Sequence, residues 1–232
     1  MAYSGDAFQQ PEDLVPVRTA DGSFTLDSRH LGEHYHSLHG AAAESRHVYI
    51  RNGLCASVGR KLAVLEVGLG TGLNALLTWT ECVQRNLQVD YVALEPFPVP
   101  QEVRAAMAHE RIVGGVAWKD GFEAMMTAPP GVRQVLSGGF SFCWQKMRVQ
   151  QLEDRNAFDL VFYDAFAPRV QPAMWTGDVF GRVARAMRMG GLLVTYCASG
   201  NARRAMAAAG LQVERLAGPP GKREMVRAWK RG

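Results

Sequence analysis

Cysteine is scarce in this sequence, and its few copies are widely spaced. The 232 residues include four cysteines and no Cys-x-x-Cys pair; the four are Cys55, Cys82, Cys143 and Cys197. Zinc sites and disulfide frameworks need cysteines at short or recurring spacings. We therefore predict neither, and we expect the four thiols to be small core residues in a reducing compartment.

Long apolar runs are missing as well. No stretch approaches the roughly 20 apolar residues that a membrane-spanning helix needs, and the polar segment 1–13 lacks the regions of a signal peptide. Internal repeats, low-complexity tracts and long linkers are also absent from the sequence. With 47% hydrophobic residues, the chain can bury a sizeable core. We therefore expect one domain, residues 1–232, in the cytoplasm and without a membrane partner.

The charge that is present is distributed unevenly. The chain carries a net charge of +4, whereas residues 181–232 hold eleven Lys or Arg against two Glu and so carry +9. The remainder is therefore faintly acidic. A basic end on such a body indicates a polyanionic partner, although a solvated basic surface with no partner explains the charge equally well.

Alternating strand-like and helix-like patterns predict an α/β fold. Residues 1–60 form an amino-terminal extension, in which the alternating segment 16–26 folds back at Asp21-Gly22 as a β-hairpin. From residue 61 onward the patterns follow βαβ order. Strands are predicted at 62–67, 89–94, 140–145, 158–163, 192–196, 212–216 and 224–229, and helices at 73–85, 99–109, 178–187 and 202–209. The glycine- and proline-containing segment 111–138 is predicted to be irregular.

The last two predicted strands are joined by Gly218-Pro-Pro-Gly221, which favours an antiparallel hairpin at the edge of the sheet. A mostly parallel sheet closed by one reversed edge strand is typical of the Rossmann-like class I methyltransferases. We therefore expect residues 61–232 to form such a core.

A strand that runs into a glycine-rich turn marks the predicted cofactor site. In Glu66-Val-Gly-Leu-Gly-Thr-Gly72, the glycines let the backbone approach a ligand before a helix begins. A dinucleotide fingerprint would read G-x-G-x-x-G, and the acidic Glu66 would repel a pyrophosphate. A cationic sulfonium cofactor with an amino-acid tail fits better. The alternative is a tight turn that binds no ligand.

Two further carboxylates end predicted strands. Glu95 follows the second strand of the core, where an acidic side chain accepts hydrogen bonds from ribose hydroxyls in such folds; the alternative is a solvated strand end. Asp164 follows the strand 158–163, and a carboxylate there can orient an amine and accept its proton. The alternative for Asp164 is to cap the next turn.

Nearly the whole chain resembles one known family, the tRNA wobble-uridine methyltransferases, which occur as the amino-terminal half of bifunctional MnmC and as stand-alone MnmD. The segments that carry the resemblance are Glu33-His-Tyr-His-Ser-Leu-His-Gly40, Glu44-Ser-Arg-His-Val-Tyr-Ile50, Glu66-Val-Gly-Leu-Gly-Thr-Gly-Leu-Asn74, Asp164-Ala-Phe-Ala-Pro168, Pro172-Ala-Met-Trp175, Thr195-Tyr-Cys-Ala-Ser-Gly200 with Arg203-Arg204, and Gly218-Pro-Pro-Gly-Lys-Arg-Glu-Met225.

This resemblance implies S-adenosylmethionine as the cofactor. It also implies methylation of the exocyclic aminomethyl nitrogen of a modified wobble uridine, commonly a thiolated one, in the anticodon loop of tRNA. Bifunctional members carry an additional flavin oxidase domain, which is not expected here. The aminomethyl substrate is then expected to come from other enzymes.

The site residues predicted from the motifs and the resemblance fall into three groups. Those expected to bind the cofactor are Glu66, Gly68, Gly70, Thr71, Gly72, Asn74, Glu95, Pro96, Met147, Arg148 and Asp164. Asp164 is also the predicted catalytic residue, facing the amine. Those expected to bind the substrate are Tyr35, His36 and Phe166 around the acceptor, and the cations Arg203, Arg204, Lys222 and Arg223 on its phosphates.

One stretch departs from the family pattern. The family tends to have an acidic residue before the helix that leads to Asp164, and it accepts from the adenine amino group, whereas this chain has Trp144-Gln-Lys-Met-Arg148. An arginine side chain only donates hydrogen bonds. A backbone carbonyl or a nearby acid such as Asp154 must then serve, or cofactor binding is weaker.

Imidazoles close in sequence, here His34, His36 and His39, can share a metal ion. We predict no metal, because methyl transfer to an amine requires none, and the resemblance implies that this segment covers donor and acceptor. Two other functions stay open: a small-molecule amine methyltransferase, which the basic end disfavours, and a tRNA-binding protein without turnover, which the stretch around Arg148 favours.

Overall fold

The computed structural model describes residues 13–231. Residues 1–12, most of the segment considered above for a signal peptide, lie outside this range. Within residues 13–231, no helix is both long enough and apolar enough to cross a bilayer.

The amino-terminal extension begins with a small antiparallel sheet. Its strands are β1 (Leu14–Arg18), β2 (Phe24–Ser28) and β3 (Glu33–His34), in the order β1-β2-β3. The predicted hairpin is confirmed, with Arg18 opposite Phe24 at its closed end. The Asp21 carboxylate accepts from the Ser23 amide at 3.0 Å and from the Ala43 amide at 2.8 Å. It therefore fastens the turn to the helical segment that follows.

That segment packs the extension onto the core. It consists of α1 (Ala41–Ser45), a π-helical turn (Arg46–Arg51) and a 3-10 turn (Leu54–Ala56). Tyr49 of the π-helical turn is buried, and its ring lies 5.2 Å from that of Phe162 in the core.

An eight-stranded sheet forms the centre of the molecule. Its strands are β4 (Lys61–Val67), β5 (Gln88–Leu94), β6 (Gln134–Val135), β7 (Phe140–Gln145), β8 (Phe158–Tyr163), β9 (Met187–Thr195), β10 (Leu211–Ala217) and β11 (Glu224–Lys230). Their order is β10-β11-β9-β8-β4-β5-β7-β6. The neighbouring strands β9, β8, β4, β5 and β7 pair in parallel. Strands β11 and β6 run in the opposite direction and pair with their neighbours in antiparallel fashion. The predicted α/β fold with a mostly parallel sheet is confirmed.

Helices cover both faces of this sheet. They are α2 (Leu73–Gln84), α3 (Gln101–Met107), α4 (Val116–Thr127), α5 (Gly177–Ala186) and α6 (Gly200–Ala208), with 3-10 turns at His109–Val113, Ser137–Gly139, Val149–Gln151 and Pro172–Met174. One apolar cluster lies between the sheet and α2, and another between the sheet and α5 and α6.

Two details differ from the sequence predictions. The segment 111–138, expected to be irregular, contains the twelve-residue helix α4. Gly121 lies within it because the helix packs so closely on α2 that a Cβ there would lie 2.5 Å from the Trp79 ring. The reversed strand β11 is inserted between β9 and β10, so it lies one position inside the sheet edge.

Candidate active site

A cleft opens at the carboxyl ends of β4, β5 and β8. It encloses about 880 Å³, open solvent included, and Gly68, Gly70, Glu95 and Asp164 all line it. Ligands of open parallel sheets bind at this end of the strands. The glycine turn and two of the predicted carboxylates therefore share one site.

The turn requires glycine at the two positions that face the cleft. Gly68 and Gly70 have φ angles of +92° and +51°, which residues with side chains rarely adopt. A Cβ at Gly68 would lie 2.5 Å from the Asp164 carbonyl oxygen, and one at Gly70 would lie 3.2 Å from the Tyr35 ring. The bare backbone leaves space in the cleft for a ligand.

Glu95 is held in place by backbone amides. Its Oε2 accepts from Gly70 N–H at 3.0 Å, and its Oε1 accepts from Phe97 N–H at 3.0 Å. Burial raises the pKa of Glu95, while these backbone donors lower it. Each carboxylate oxygen has a second acceptor site, so the group can still accept from the hydroxyls of a ribose.

Asn74 connects Asp164 to Glu66. Its Nδ2 donates to Asp164 Oδ2 at 2.8 Å and to Glu66 Oε1 at 2.9 Å. Glu66 is fully buried and does not line the cleft, because it points to the same face of β4 as Val64, toward α2. Its carboxyl group therefore orients Asn74, and a contact between Glu66 and the cofactor stays a prediction. Burial raises the pKa of Glu66 well above its usual range, which favours the neutral acid.

The groups around Asp164 shift the pKa of its carboxyl group in both directions. Burial raises the pKa of its carboxyl group, and the negative charge of Glu44 acts in the same direction. His36, Tyr49 and Asn74 lower the pKa. The net effect is upward, which makes the carboxylate a better proton acceptor than an ordinary aspartate.

Aromatic side chains enclose the same part of the cleft. Tyr35 follows β3, and its ring meets that of Phe166 edge to face, with centroids 4.9 Å apart. An ion pair of 2.5 Å between Arg169 and Glu33 ties the loop after β8 to β3. His36 also lines the cleft. The three residues predicted to surround the acceptor are therefore brought together with Asp164.

At the other end, the cleft is lined by Pro96, Phe97, Met147 and Arg148. The Arg148 guanidinium lies 5.9 Å from the centre of the Phe97 ring. Asp154, considered above as an adenine acceptor, is exposed and does not line the cleft. The alternatives that stay open are a backbone carbonyl as the acceptor, or weaker cofactor binding.

Replacing Arg148 by Asp is expected to tighten the binding of S-adenosylhomocysteine by roughly 0.5–1.5 kcal/mol, the worth of one hydrogen bond. The new side chain would provide an acceptor for the adenine amino group at this wall of the cleft. Calorimetric titration measures the change. The control is Arg148→Ala, which removes the guanidinium without adding an acceptor, and an Asp variant that binds no better than the Ala variant would contradict the prediction.

Three more of the predicted cofactor residues lie behind the turn and do not line the cleft. Thr71 is buried and its hydroxyl is 2.8 Å from His109 Nε2; burial lowers the pKa of that histidine to about 3, so it is neutral. Gly72 is the left-handed residue before α2, where a Cβ would lie 2.5 Å from the Met126 sulfur. Asn74, described above, is the third of these residues. All three shape the turn, because they lie on the side of the turn that faces the core.

The predicted phosphate-binding cations differ in their surroundings. Arg204 and Arg223 are exposed, whereas Arg203 is half-buried and donates from Nε to the Ala198 carbonyl at 3.2 Å. Lys222 forms a 2.6 Å ion pair with Glu44, a buried residue. If Lys222 bound a phosphate, that buried carboxylate would lose its cation, so the phosphate contact stays a prediction that competes with this ion pair.

The three histidines considered above as metal ligands point to different neighbours. His34 lies 3.6 Å from Asp27, His36 faces the cleft, and His39 packs against Gly221. In the described part of the chain, no group of three or more His, Cys, Asp or Glu side chains is arranged to hold a metal ion.

Sequence reasoning missed three residues beside Asp164. Tyr196 lines the cleft, donating from its hydroxyl to the Ala165 carbonyl at 2.9 Å, while Tyr49 and Glu44 lie behind Asp164. Tyr196 directly follows β9, at the same edge as Asp164, so the rule that ligands bind at carboxyl ends would have found it. Tyr49 and Glu44 carry no such signal, because they belong to the helical segment before the core.

Comparison with known sequences identifies relatives of most of the chain. A model of a family described as S-adenosyl-L-methionine-dependent methyltransferase matches residues 141–231. Two similar proteins are both described as tRNA 5-methylaminomethyl-2-thiouridine biosynthesis bifunctional protein MnmC. The one from Ectopseudomonas mendocina is 32% identical over 86% of this chain and 32% of its own length. The one from Burkholderia multivorans is 34% identical over 93% of this chain and 35% of its own length. The chain thus spans about a third of these relatives.

Solved structures also resemble this chain. MnmC2 from Aquifex aeolicus superimposes with a TM-score of 0.73 at 26% identity, covering 95% of this chain and 72% of that one. Spermidine synthase from Thermotoga maritima, at 12% identity and a TM-score of 0.57, covers 96% of this chain and 71% of its own, and it shares the fold alone. The predicted Rossmann-like class I fold is confirmed. The chain is an S-adenosyl-L-methionine-dependent methyltransferase with S-adenosylmethionine as its cofactor, and most of its length is similar to one third of the MnmC proteins.

Proposed function

We propose that this enzyme methylates the exocyclic aminomethyl nitrogen of a modified wobble uridine in tRNA. The observation that carries the proposal is the position of Asp164, a half-buried carboxylate of raised pKa at the end of β8, in the cleft that also holds the glycine turn. The similar proteins named for 5-methylaminomethyl-2-thiouridine biosynthesis in tRNA support this choice of acceptor.

Methyl transfer to an amine needs a proton acceptor beside the nitrogen, and a carboxylate can serve as that acceptor. S-adenosylmethionine supplies an electrophilic methyl group on a sulfonium. An alkylammonium has no lone pair, so a proton must leave the nitrogen before the new C–N bond forms. Asp164 is placed to accept that proton, with its Oδ2 fixed by Asn74 at 2.8 Å. Tyr35 and Phe166 would exclude water and hold the base near the donor.

The remaining residues divide the cleft between cofactor and substrate. In this proposal Gly68 and Gly70 accommodate the methionine end, and Glu95 accepts from the ribose hydroxyls. Pro96 and Met147 enclose the adenine. The amino-terminal extension and the core act as one catalytic domain, since both contribute residues to the cleft. A tRNA substrate implies action in the cytoplasm.

Three arginines from α6 and from the turn before β11 are proposed to hold the backbone of the anticodon loop. Arg203 and Arg204 lie on α6, which begins five residues after the end of β9, and Arg223 lies in the turn before β11. Loops of RNA are recognised with bases splayed out and phosphates neutralised by cations. These arginines would position the loop without reading its sequence.

Replacing Arg203 and Arg204 together by Ala should raise the Michaelis constant for tRNA and leave the affinity for S-adenosylhomocysteine unchanged. For every phosphate that the variant no longer neutralises, the slope of log affinity against log salt should fall by roughly 0.7. Filter binding over a salt series measures the slope. The matched control is the double Ala variant of Arg60 and Lys61, which are exposed at the opposite end of β4. Equal slopes for both double variants would exclude the α6 arginines as phosphate ligands.

Methyl-labelled S-adenosylmethionine and tRNA that lacks only the terminal methyl group test the proposed function. After digestion to nucleosides, label in the wobble nucleoside is the expected result. Label only in an added free amine would indicate a small-molecule methyltransferase. Binding of tRNA without any transfer would indicate a binding protein that lacks turnover.

A further inference from the structure

An ion pair behind the cleft joins the amino-terminal extension to the turn before β11. Glu44 of α1 is 4% exposed. Its Oε1 accepts from Lys222 Nζ at 2.6 Å, and its Oε2 accepts from the Ser37 amide at 2.8 Å. The Lys222 side chain is 31% exposed. Because both oxygens of a buried carboxylate are satisfied by specific donors, the contact is fixed in geometry, unlike a surface ion pair.

The same ammonium lies on an aromatic ring that lines the cleft. Lys222 Nζ is 3.8 Å from the centre of the Tyr196 ring, within the range of a cation–π contact. At its other end, Tyr196 donates to the Ala165 carbonyl, one residue after Asp164. A chain of contacts therefore runs from Glu44 through Lys222 and Tyr196 to the backbone beside Asp164.

The turn that carries Lys222 is shaped for this position. A Cβ at Gly221 would overlap the His39 ring, so the turn packs directly on the amino-terminal extension. The Lys222 amide donates to the Pro219 carbonyl at 2.9 Å, and His47 Nε2 lies 2.9 Å from the Ala217 carbonyl. These contacts hold the ammonium between Glu44 and Tyr196.

We propose that the Glu44–Lys222 ion pair is a positioning device for the methyl-transfer site, in which Lys222 neutralises Glu44 behind Asp164 and supports the Tyr196 ring against the cleft. The inference rests on the proposed function only for the role of Asp164 in transfer. The residues themselves are positioning residues, since neither touches the cleft.

The proposal assigns opposite electrostatic effects to the two partners. The negative charge of Glu44 favours the protonated form of Asp164, and the Lys222 ammonium cancels that charge at 2.6 Å. The other titratable or polar groups that face or influence Asp164 are His36, Tyr49, Glu66, Asn74 and Tyr196, and none of them is replaced in the Lys222 and Glu44 variants. Removing Lys222 should therefore raise the pKa of Asp164, and removing the charge of Glu44 should lower it.

The experiment follows Asp164 directly by carboxyl ¹³C NMR of protein labelled at aspartate. The Asp164 resonance is the one missing from Asp164→Asn. We expect its titration midpoint to move up by roughly one pH unit in Lys222→Met, down in Glu44→Gln, and to lie between them in the double variant. The acid limb of the kcat profile should move with it, while the Michaelis constant and salt slope for tRNA stay unchanged.

The matched control is Arg215→Met, which breaks the exposed 3.1 Å pair with Glu224 in the same hairpin and should leave the midpoint unmoved. If Lys222→Met does not fold, Glu44→Gln and the double variant decide, since neither leaves Glu44 charged and unpaired.

Midpoints equal to wild type, or shifts of the same sign in both single variants, would overturn the proposal. So would a raised Michaelis constant for tRNA with an unchanged midpoint, which would assign Lys222 to phosphate binding. The NMR readout needs no turnover, so opposite shifts without tRNA methylation would reject the proposed function alone.

Discussion

Replacing Asp164 by Asn is expected to slow methyl transfer by roughly 10²–10⁴-fold, the range of a positioned general base. The amide keeps the shape of the side chain and can still meet Asn74, but it cannot take the proton from the amine. Single-turnover transfer of label to tRNA measures the loss at the chemical step.

The affinity for S-adenosylhomocysteine should stay within a few-fold of wild type, because the loss belongs to the reaction and not to cofactor binding. Asp120→Asn is the matched control, since Asp120 is exposed on α4. Full activity in the Asp164 variant would remove this carboxylate from the mechanism.

Replacing Gly70 by Val should strongly weaken cofactor binding. The residue has φ of +51°, and a Cβ there would lie 3.2 Å from Tyr35 Cδ1. A β-branched residue in this conformation costs roughly 1–3 kcal/mol of backbone strain. Relief of that strain would move the amide that donates to Glu95. We expect calorimetry to show a loss of affinity for S-adenosylhomocysteine of roughly a hundredfold.

Gly131→Val separates this local effect from general strain. Gly131 also has a positive φ, of +80°, but a Cβ there would meet nothing within 4 Å. Its variant should lose stability and keep cofactor affinity. Unchanged affinity in Gly70→Val, or an equal loss in Gly131→Val, would argue against the glycine turn as the cofactor site.

The position of the cleft could be predicted because its signals are local. Glu95 and Asp164 each directly follow an apolar strand, and the glycines follow another; the carboxyl ends of parallel strands meet at one edge of a sheet. The face of β4 to which the Glu66 side chain points was harder to predict. It depends on the alternation of side chains along β4 and on which face of the sheet α2 covers. Helix α4 was missed because the glycines and prolines that suggested an irregular segment, at 114–115, 129–131 and 138–139, lie on either side of the helix and do not interrupt it.

The basic carboxyl-terminal region shows where counting charges misleads. Several of its cations are neutralised by partners from elsewhere in the chain or from the neighbouring strand: Lys222 by Glu44, Arg188 by Asp159, Arg215 by Glu224 and Arg227 by Glu214. Sequence composition reports net charge and not pairing, and the Lys222 partner lies 178 residues away. A polyanion would therefore meet fewer free cations than the composition implies.

A crystal structure of the enzyme with S-adenosylhomocysteine tests the central claim most directly, namely that one cleft holds the methyl donor beside Asp164. The account predicts the homocysteine end against Gly68 and Gly70, the ribose hydroxyls within hydrogen-bonding distance of Glu95, and the sulfur on the side of the cleft where Asp164 and Tyr196 lie. A ligand bound elsewhere, or one in the cleft whose sulfur points away from Asp164 toward Arg148, would contradict it.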